Sequence, residues 1–372
     1  LAIDKRNGNK IAYKEIPSSQ KDFIEREKQI LSSMNYPSII SLYGLIEPDE
    51  EKEESVVLLP YAPNGDLDKM LQKEGKKKNG APKGWDYTQR CIVLYGIAMG
   101  MFKLHEHEII HRDLKPQNIL LDNDLEPWIT DFELSKFVDP NQSLFQSMTV
   151  GTPYYMSPES LNESNEVDGD DDEEEDEDKP KKKAHNYDGK LSDVYSFGML
   201  VFYLMTGMQP WANIKSQFVL MQKVIDGVRP TIPDTLEKPV VDLITSCWQN
   251  APESRPNFKQ IVEIVSNPDF YMNPKQTFDR KRFYEYQLKL GDVDLIKFSD
   301  EEIKQFQESG GYTSTDDYKR KSDALNIAQL LHDMANKGVS ESQYRYGCML
   351  KEGIEIPQDL EGAAKYFKLA AD

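Results

Sequence analysis

Cysteines and long apolar runs are both scarce in this sequence. Three cysteines occur among 372 residues, and Cys91, Cys247 and Cys348 lie too far apart for the paired spacing of a metal site. We interpret them as free thiols of a reducing compartment, which predicts a cytoplasmic location. The longest apolar run, Met199 to Met205, is far shorter than the roughly 18 residues of a membrane helix, so we expect no membrane span.

Positive charge is also in short supply. The chain has 45 Lys and Arg against 64 Asp and Glu, a formal net charge of -19. This balance argues against binding to nucleic acid or to anionic membranes, and neither is expected as a partner. Twelve acidic residues lie between Glu163 and Asp178. Because residues 162–190 are polar and low in aromatics, we predict a disordered acidic insertion there.

Two charged residues near the amino terminus occupy positions where apolar side chains are expected. Residues 11–16 alternate as a strand, with Lys14 on the same face as Ala12 and Ile16. The apolar stripe of the following helix consists of Phe23, Ile30, Leu31 and Met34. Glu27 lies within that stripe. Because an unpaired buried charge is costly, Lys14 and Glu27 are candidate partners. The alternative is that Lys14 reaches solvent and Glu27 lies at the edge of the stripe.

A second group of polar residues follows from residues 111 to 118. This segment leads through an apolar stretch and a polar turn to Asp131. A hairpin centred between Asp124 and Leu125 would place Asn118 opposite Asp131. An amide oxygen and a carboxylate are the hard oxygen ligands that Mg²⁺ prefers, which predicts a metal site. The alternative is a solvated turn rich in aspartate.

Two more side chains of the same segment are suited to chemistry. Asp113 could accept a proton from a hydroxyl group. Lys115 could neutralise a phosphoryl group during its transfer. Further along the chain, Ser192 and Asp193 are expected to cap an almost wholly apolar helix that ends near Gly207.

Taken together, these motifs resemble those of the protein kinase family. The segments that carry the resemblance are Ile11-Ala-Tyr-Lys14, Glu27 with Leu31, His111 to Asn118, Met156-Ser-Pro-Glu159, Asp193 and Arg255. The resemblance runs from residue 1 to about 272. It implies an α+β, bilobal kinase fold with a small β-rich amino-terminal lobe, lacking its first strand and glycine-rich loop. A large helical carboxy-terminal lobe and a segment of α-α helical hairpins would follow.

The resemblance also implies ATP and Mg²⁺ as cofactors. Lys14, oriented by Glu27, would hold the α- and β-phosphates, while Asn118 and Asp131 would hold Mg²⁺. The residues implied in contacts with adenine are Ala12, Leu59, Tyr61, Ala62 and Leu120. The residues implied in a stacked apolar spine are Leu31, Leu42, His111 and Phe132.

The remaining implied roles concern catalysis and its support. Asp113 would be the catalytic base, and Lys115 would steady the γ-phosphoryl group. Asp193 would anchor the loop that contains Asp113. Arg255 would form an ion pair with Glu159.

Signals for the substrate class are mixed. Lys115 and Thr152 resemble serine/threonine kinases, whereas residues 192–198 and 247–248 resemble the tyrosine-kinase branch. The mixture is similar to the tyrosine-kinase-like group, whose members mostly phosphorylate serine and threonine. A protein substrate is therefore expected.

Two hydroxyl-bearing residues upstream of Glu159 are candidates for activating phosphorylation. Phosphates on Ser147 or Thr149 would order their segment by pairing with Arg112. The alternative is that both are ordinary loop hydroxyls.

The sequence departs from the family pattern in two places. No glycine-rich loop precedes Lys14, and the resemblance places Leu1 directly after the position of that loop. We therefore expect a longer natural protein, and weak ATP binding without the loop. Because the chain starts at Leu1 and not at Met, a removed targeting segment is a further alternative. The family's Asp-Phe-Gly is Asp131-Phe132-Glu133, and glycine permits backbone angles that glutamate resists. The Glu133 carboxylate would repel ATP phosphates or point to solvent, so a weakly active or inactive scaffold is the alternative to an active kinase.

The carboxy-terminal residues 323–372 resemble Sel-one-like repeats, relatives of tetratricopeptide repeats. Residues 328–335 are similar to residues 364–371, which begin 36 positions later. The other residues that carry the resemblance are Tyr346-Gly347, Glu352-Gly353, Asp359 and Ala363. Their small side chains would let paired helices approach closely, and the repeats would bind a partner protein. The alternative is a simple helical extension of the kinase domain. Residues 273–322 are predicted to be a partly helical linker.

Overall fold

The structure is a computed structural model, and the residues that it describes fall into two compact units. They are residues 1–6, 8, 10–17, 21–46, 54–75, 84–137, 153–167, 189–290, 332, 335–336, 340–352 and 359–371. The first unit comprises Leu1–Trp85 and Val93–Val262, and the second comprises Asp86–Ile92 and Glu263–Asp372. All of the predicted site residues lie in the first unit. The domain limits predicted at residues 272 and 322 stay predictions.

The first unit begins with a four-stranded antiparallel sheet and one helix. The strands are β1 (Ala2–Ile3), β2 (Lys10–Pro17), β3 (Gly44–Ile46) and β4 (Glu54–Pro60), in the order β1-β2-β4-β3. On β2, Ile16 is buried whereas Tyr13 is exposed, as the alternation predicts. Ile11 lies on the predicted face of Tyr13 but is buried as well. Helix α1 (Lys21–Ser33) follows, and Ile30 and Leu31 of its predicted stripe are buried. The side chain of Phe23 lies outside the described residues.

Helices dominate the rest of the first unit. They are α2 (Leu67–Gly75), α3 (Tyr87–Glu106, whose first six residues belong to the second unit), α4 (Pro158–Val167), α5 (Gly189–Thr206), α6 (Gln217–Ile225), α7 (Lys238–Cys247) and α8 (Phe258–Val265, whose last three residues belong to the second unit). Four short strands accompany them: β5 (Ile109–Ile110), β6 (Ile119–Leu121), β7 (Pro127–Ile129) and β8 (Lys136–Phe137). β5 pairs with β8, and β6 pairs with β7. The sheet followed by a helical lobe agrees with the expected kinase fold.

Helix α5 is the central helix of the helical lobe. Every residue from Asp193 to Leu204 is buried. Gly198 lets helix α7 approach closely, because a Cβ atom added there would lie 2.7 Å from the Cβ atom of Cys247. The helix begins at Gly189, so the expectation that Ser192 and Asp193 cap it is wrong. Both residues lie inside the helix, where the Asp193 carboxylate has partners other than the helix end.

Helices α4 and α5 are fastened to each other by hydroxyl groups. The Oγ atom of Ser192 lies 2.8 Å from that of Ser157 and 2.9 Å from that of Ser160. Arg255 adds a bidentate pair with Glu159, with N–O distances of 2.6 and 2.8 Å, as predicted. Helix α4 includes residues 162–167 of the predicted acidic insertion, and α5 includes its last two residues, 189 and 190. Residues 168–188 of that insertion lie outside the described residues.

The second unit contains α9 (Arg280–Lys289), α10 (Ser340–Glu352) and α11 (Leu360–Ala371). Helices α10 and α11 pack against each other, and their core consists of Ala335, Leu350, Ala363 and Tyr366, with Tyr346 and Phe367 packed against it. A Cβ atom on Gly347 would lie 2.9 Å from the Phe367 ring. This close approach agrees with the helix pairing expected from the small residues. Among the described residues, no helix combines the length and the apolar character needed to cross a bilayer.

Candidate active site

Asp193 anchors the loop that contains the predicted catalytic residues. Its Oδ2 atom accepts a hydrogen bond from the backbone nitrogen of His111, and its Oδ1 atom accepts one from that of Arg112, both at 2.8 Å. Arg112 has a φ of 67°, a conformation that is costly for a residue with a Cβ atom. The two charge-assisted hydrogen bonds stabilise this conformation, so the predicted anchor is present.

His105 is a third partner of Asp193, and sequence reasoning missed it. Its Nε2 atom lies 2.9 Å from Asp193 Oδ2, and both side chains are buried. His105 belongs to helix α3, 88 positions before Asp193. The available signal was a histidine at the end of a strongly apolar helix, just before the loop begins at His111.

Three predicted catalytic residues converge on one carboxylate oxygen. Asp113 Oδ2 accepts hydrogen bonds from Lys115 Nζ at 2.5 Å and from Asn118 Nδ2 at 2.9 Å. Asn118 Nδ2 also donates to the backbone oxygen of Asp113 at 2.8 Å. The Asp113 side chain is 10% exposed, so it is fixed in place yet accessible to a bound substrate. This arrangement suits a group that receives a proton from a hydroxyl.

The hairpin that follows has a different register from the predicted one. Thr130 N donates to Asn118 O at 3.0 Å, so Asn118 lies opposite Thr130 and not opposite Asp131. The reason is that five residues, 122–126, separate the paired strands, which centres the hairpin on its middle residue. The Asp122 carboxylate accepts hydrogen bonds from two backbone nitrogens of that loop, at 2.8 and 2.9 Å, and fixes its length. Asp131 therefore follows the residue that faces Asn118.

Asp131 and Asn118 fit the Mg²⁺ that the family uses. Asp131 Oδ1 is buried and has no hydrogen-bond partner among the described residues, and its nearest cation, Lys14 Nζ, is 3.8 Å away. An orphaned carboxylate oxygen is a natural metal ligand. Asn118 uses its amide nitrogen for Asp113, which leaves its amide oxygen as the atom that a metal would take. In the described parts of the chain, no three His, Cys, Asp or Glu side chains cluster as metal ligands, so phosphate and water would supply the remaining ligands.

Lys14 and Glu27 form the predicted ion pair between β2 and α1. Their Nζ and Oε2 atoms are 3.7 Å apart, which is too long for a hydrogen bond. Burial opposes the charged form of Lys14, but the attraction of Glu27, Glu133 and Asp131 outweighs it and raises the lysine pKa. Burial raises the pKa of Glu27, and the Lys14 ammonium opposes that shift. The Lys14 ammonium thus lies among three carboxylates, those of Glu27, Asp131 and Glu133.

The expectation that Glu133 merely points to solvent is wrong. Its carboxylate contacts Lys14 Nζ, and this contact is the closest of the three that the ammonium makes with carboxylates. The repulsion of ATP phosphates by this carboxylate stays a prediction. Glu133 lies outside the left-handed region of φ, whereas Asp131, two residues earlier, has a φ of 68°. The left-handed backbone that favours glycine is therefore not required at Glu133.

The predicted adenine contacts lie on elements that are joined by backbone hydrogen bonds. Ala12 on β2 pairs directly with Leu59 on β4. Tyr61 and Ala62 follow β4, and the loop after them is tied to strand β6, which carries Leu120. That tie is a hydrogen bond from Leu121 N to Gly65 O at 2.8 Å. All five predicted side chains are half-buried, and their contact with adenine stays a prediction.

The other residues implied by the resemblance have mixed outcomes. The rings of His111 and Phe132 lie 5.3 Å apart between centroids, and both side chains are buried. Leu31 is buried, and Leu42 packs on the sheet core. The candidate phosphorylation residues Ser147 and Thr149 lie outside the described residues, as does Thr152.

Comparison with known proteins agrees with this geometry. The family model described as protein kinase domain matches residues 1–265. The chain is 27% identical over 303 residues to LRR receptor-like serine/threonine-protein kinase FEI 2 of Arabidopsis thaliana, covering 75% of this chain and 45% of that protein. It is 30% identical over 244 residues to serine/threonine-protein kinase CTR1 of Arabidopsis thaliana, covering 64% of this chain and 26% of that protein. The chain thus spans less than half of the length of either relative. Because the family model covers well over half of the chain, the chain belongs to the protein kinase domain family.

Proposed function

We propose that the chain is the catalytic domain of an ATP-dependent protein serine/threonine kinase. The observation that carries this proposal is the Asp113 carboxylate, which Lys115 and Asn118 hold in a loop anchored by Asp193. Bound ATP with Mg²⁺ supplies the γ-phosphoryl group. Asp113 accepts the proton of the substrate hydroxyl. Lys115 Nζ lies 2.5 Å from Asp113 Oδ2, where it can stabilise the charge of the phosphoryl group during transfer.

The specificity for serine and threonine forms a finer part of the proposal. Lys115 matches the serine/threonine pattern, and both relatives above are named serine/threonine kinases. The likeness to CTR1 agrees with a place in the tyrosine-kinase-like group. The cytoplasmic location inferred from three free thiols belongs to the same proposal.

The role of the carboxy-terminal helices is likewise proposed. Helices α10 and α11 pair through small residues, as Sel-one-like repeats would. We propose that they bind a partner protein. Tyr344 and Leu369, exposed large side chains on these two helices, are available for such binding.

A second candidate function is a kinase-fold scaffold with little or no phosphotransfer. The contact between Glu133 and Lys14 favours the scaffold, because the Glu133 carboxylate pairs with the ammonium that would otherwise hold the phosphates. Phosphotransfer by the chain therefore decides between the two candidates.

The test compares the chain with its Asp113→Asn variant, using radiolabelled ATP, Mg²⁺ and a basic protein substrate. We expect incorporation to fall by about 100-fold or more, because the loss of a general base typically costs 10²–10⁴ in rate. Asp124→Asn, in the exposed turn of the hairpin, is the matched control and should retain wild-type activity. Phosphoamino-acid analysis of the product should show serine and threonine. Equal phosphate incorporation by wild type and Asp113→Asn would contradict the kinase function and favour the scaffold function.

A further inference from the structure

We propose that Glu133 determines how strongly the nucleotide site discriminates between an uncharged nucleoside and the corresponding triphosphate. Its carboxylate holds the Lys14 ammonium, so that phosphates must displace it to bind. This inference rests on the proposed function and deepens it, because it names the residue that sets the affinity for ATP.

The charges around Lys14 are unbalanced. One ammonium faces the carboxylates of Glu27, Asp131 and Glu133, which gives these four groups a formal charge of -2. Nucleotide phosphates carry the same sign as the excess, so each additional carboxylate weakens their attraction to the site. Adenosine carries no phosphate and is not subject to this repulsion.

Glu133 makes the closest contact with Lys14 and can release it to water. Its side chain is 38% exposed and that of Asp131 is 36% exposed, whereas that of Glu27 is 3% exposed. Asp131 is the candidate metal ligand, so Glu133 is the carboxylate that a phosphate would replace. Water can solvate the Glu133 carboxylate once it leaves the ammonium, so the exchange of Glu133 for a phosphate costs little. Glu27 cannot move to water without leaving the buried face of α1. The two glutamates therefore have different roles: Glu27 holds Lys14 in position, and Glu133 competes with the nucleotide.

Because Glu133 lies outside the left-handed region of φ, an isosteric change can test the inference. Glu133→Gln keeps the size of the side chain and the backbone conformation, and it removes one negative charge. Glu15→Gln is the matched control, because Glu15 adjoins Lys14 on β2 but has an exposed side chain on the opposite face of the strand. Both variants change the net charge equally.

The experiment is calorimetric titration of the 372-residue chain with adenosine and, separately, with ATP and Mg²⁺. We expect Glu133→Gln to bind ATP about fivefold more tightly than wild type, the effect of one partly exposed charge pair. Adenosine affinity should change by less than about twofold, as should both affinities in Glu15→Gln. A ratio of the two affinities that is the same in wild type and Glu133→Gln would overturn the inference. Weaker ATP binding by Glu133→Gln would also overturn it, because Glu133 would then assist the metal.

Cooperative unfolding of all variants without binding of either ligand would overturn the proposed function and this inference with it. Nucleotide binding with an unchanged affinity ratio would overturn the inference alone.

Discussion

Single carboxylates organise the candidate active site at the scale of the residue. Asp193 fixes two backbone nitrogens and contacts His105, and Asp113 receives two side-chain donors on one oxygen. The partners of Asp193 lie 81 to 88 positions away in the sequence, whereas those of Asp113 lie within five positions. Each carboxylate is buried or nearly so. Because buried polar groups are expensive to leave unpaired, the loss of either carboxylate disturbs its partners as well as itself.

The substitution Asp193→Asn tests this dependence. The amide of asparagine would present a donor to a backbone nitrogen that needs an acceptor, and the charge that strengthens both hydrogen bonds would be gone. We expect the free energy of unfolding to fall by about 3 kcal/mol in urea denaturation. Asp226→Asn, at the exposed end of α6, should change it by less than about 0.5 kcal/mol. Equal values for the two variants would contradict the anchoring role.

Close approach of helices is the main determinant at the scale of the element. Helices α5 and α7 meet where Gly198 faces Cys247, and the atom in the way is a Cβ atom, which cannot rotate aside. The contact therefore fixes the separation of the two helix backbones. A methyl group at this point would force a backbone to move.

Gly198→Ala should accordingly destabilise the chain by about 1–3 kcal/mol, despite the higher helix propensity of alanine. The partner change Cys247→Gly removes the opposing Cβ atom. If the clash is the cause, the double variant will lose less stability than the sum of the single variants, as measured by urea denaturation. Strict additivity would show that the clash is relieved in another way.

Patterns of neighbouring residues predicted part of this architecture and failed elsewhere for identifiable reasons. Alternation on β2 and the stripe of α1 located Lys14 and Glu27, because strand and helix periods are local properties. The hairpin register was wrong by one residue, since the Asp122 carboxylate and not the strand pattern sets the loop length. The partners of Asp193 and the direction of Glu133 depend on groups from other elements, which no local period reveals.

The reactivity of the thiols is a property of the whole molecule. Cys91 and Cys247 are buried, whereas Cys348 is partly exposed. Burial raises the pKa of Cys247 from 9.0 to about 12 and that of Cys91 well above its ordinary value. The neutral thiol is thus the form that the fold favours. Its contribution to stability is present in full below pH 9.0, the ordinary value, and is lost as the pH rises through about 12.

Titration with a chromogenic disulfide reagent at pH 8 should therefore find one rapidly reacting thiol in the native chain and three after denaturation. Cys348→Ser should abolish the rapid reaction. Fast modification of Cys91 or Cys247 in the native chain would show that its surroundings open readily to solvent.

The contacts between α4 and α5 bear on how well the connection between these two helices would tolerate an insertion. Ser157, Ser160 and Ser192, with the Arg255–Glu159 pair, hold the beginning of α4 against the beginning of α5. None of these contacts involves the chain that connects the two helices. Closing a longer connection across fixed ends costs only about 0.6 kcal/mol for each doubling of its length. This position is therefore a permissive graft point, where a reporter domain or an epitope tag could be spliced in while Asp113 and its neighbours keep their geometry.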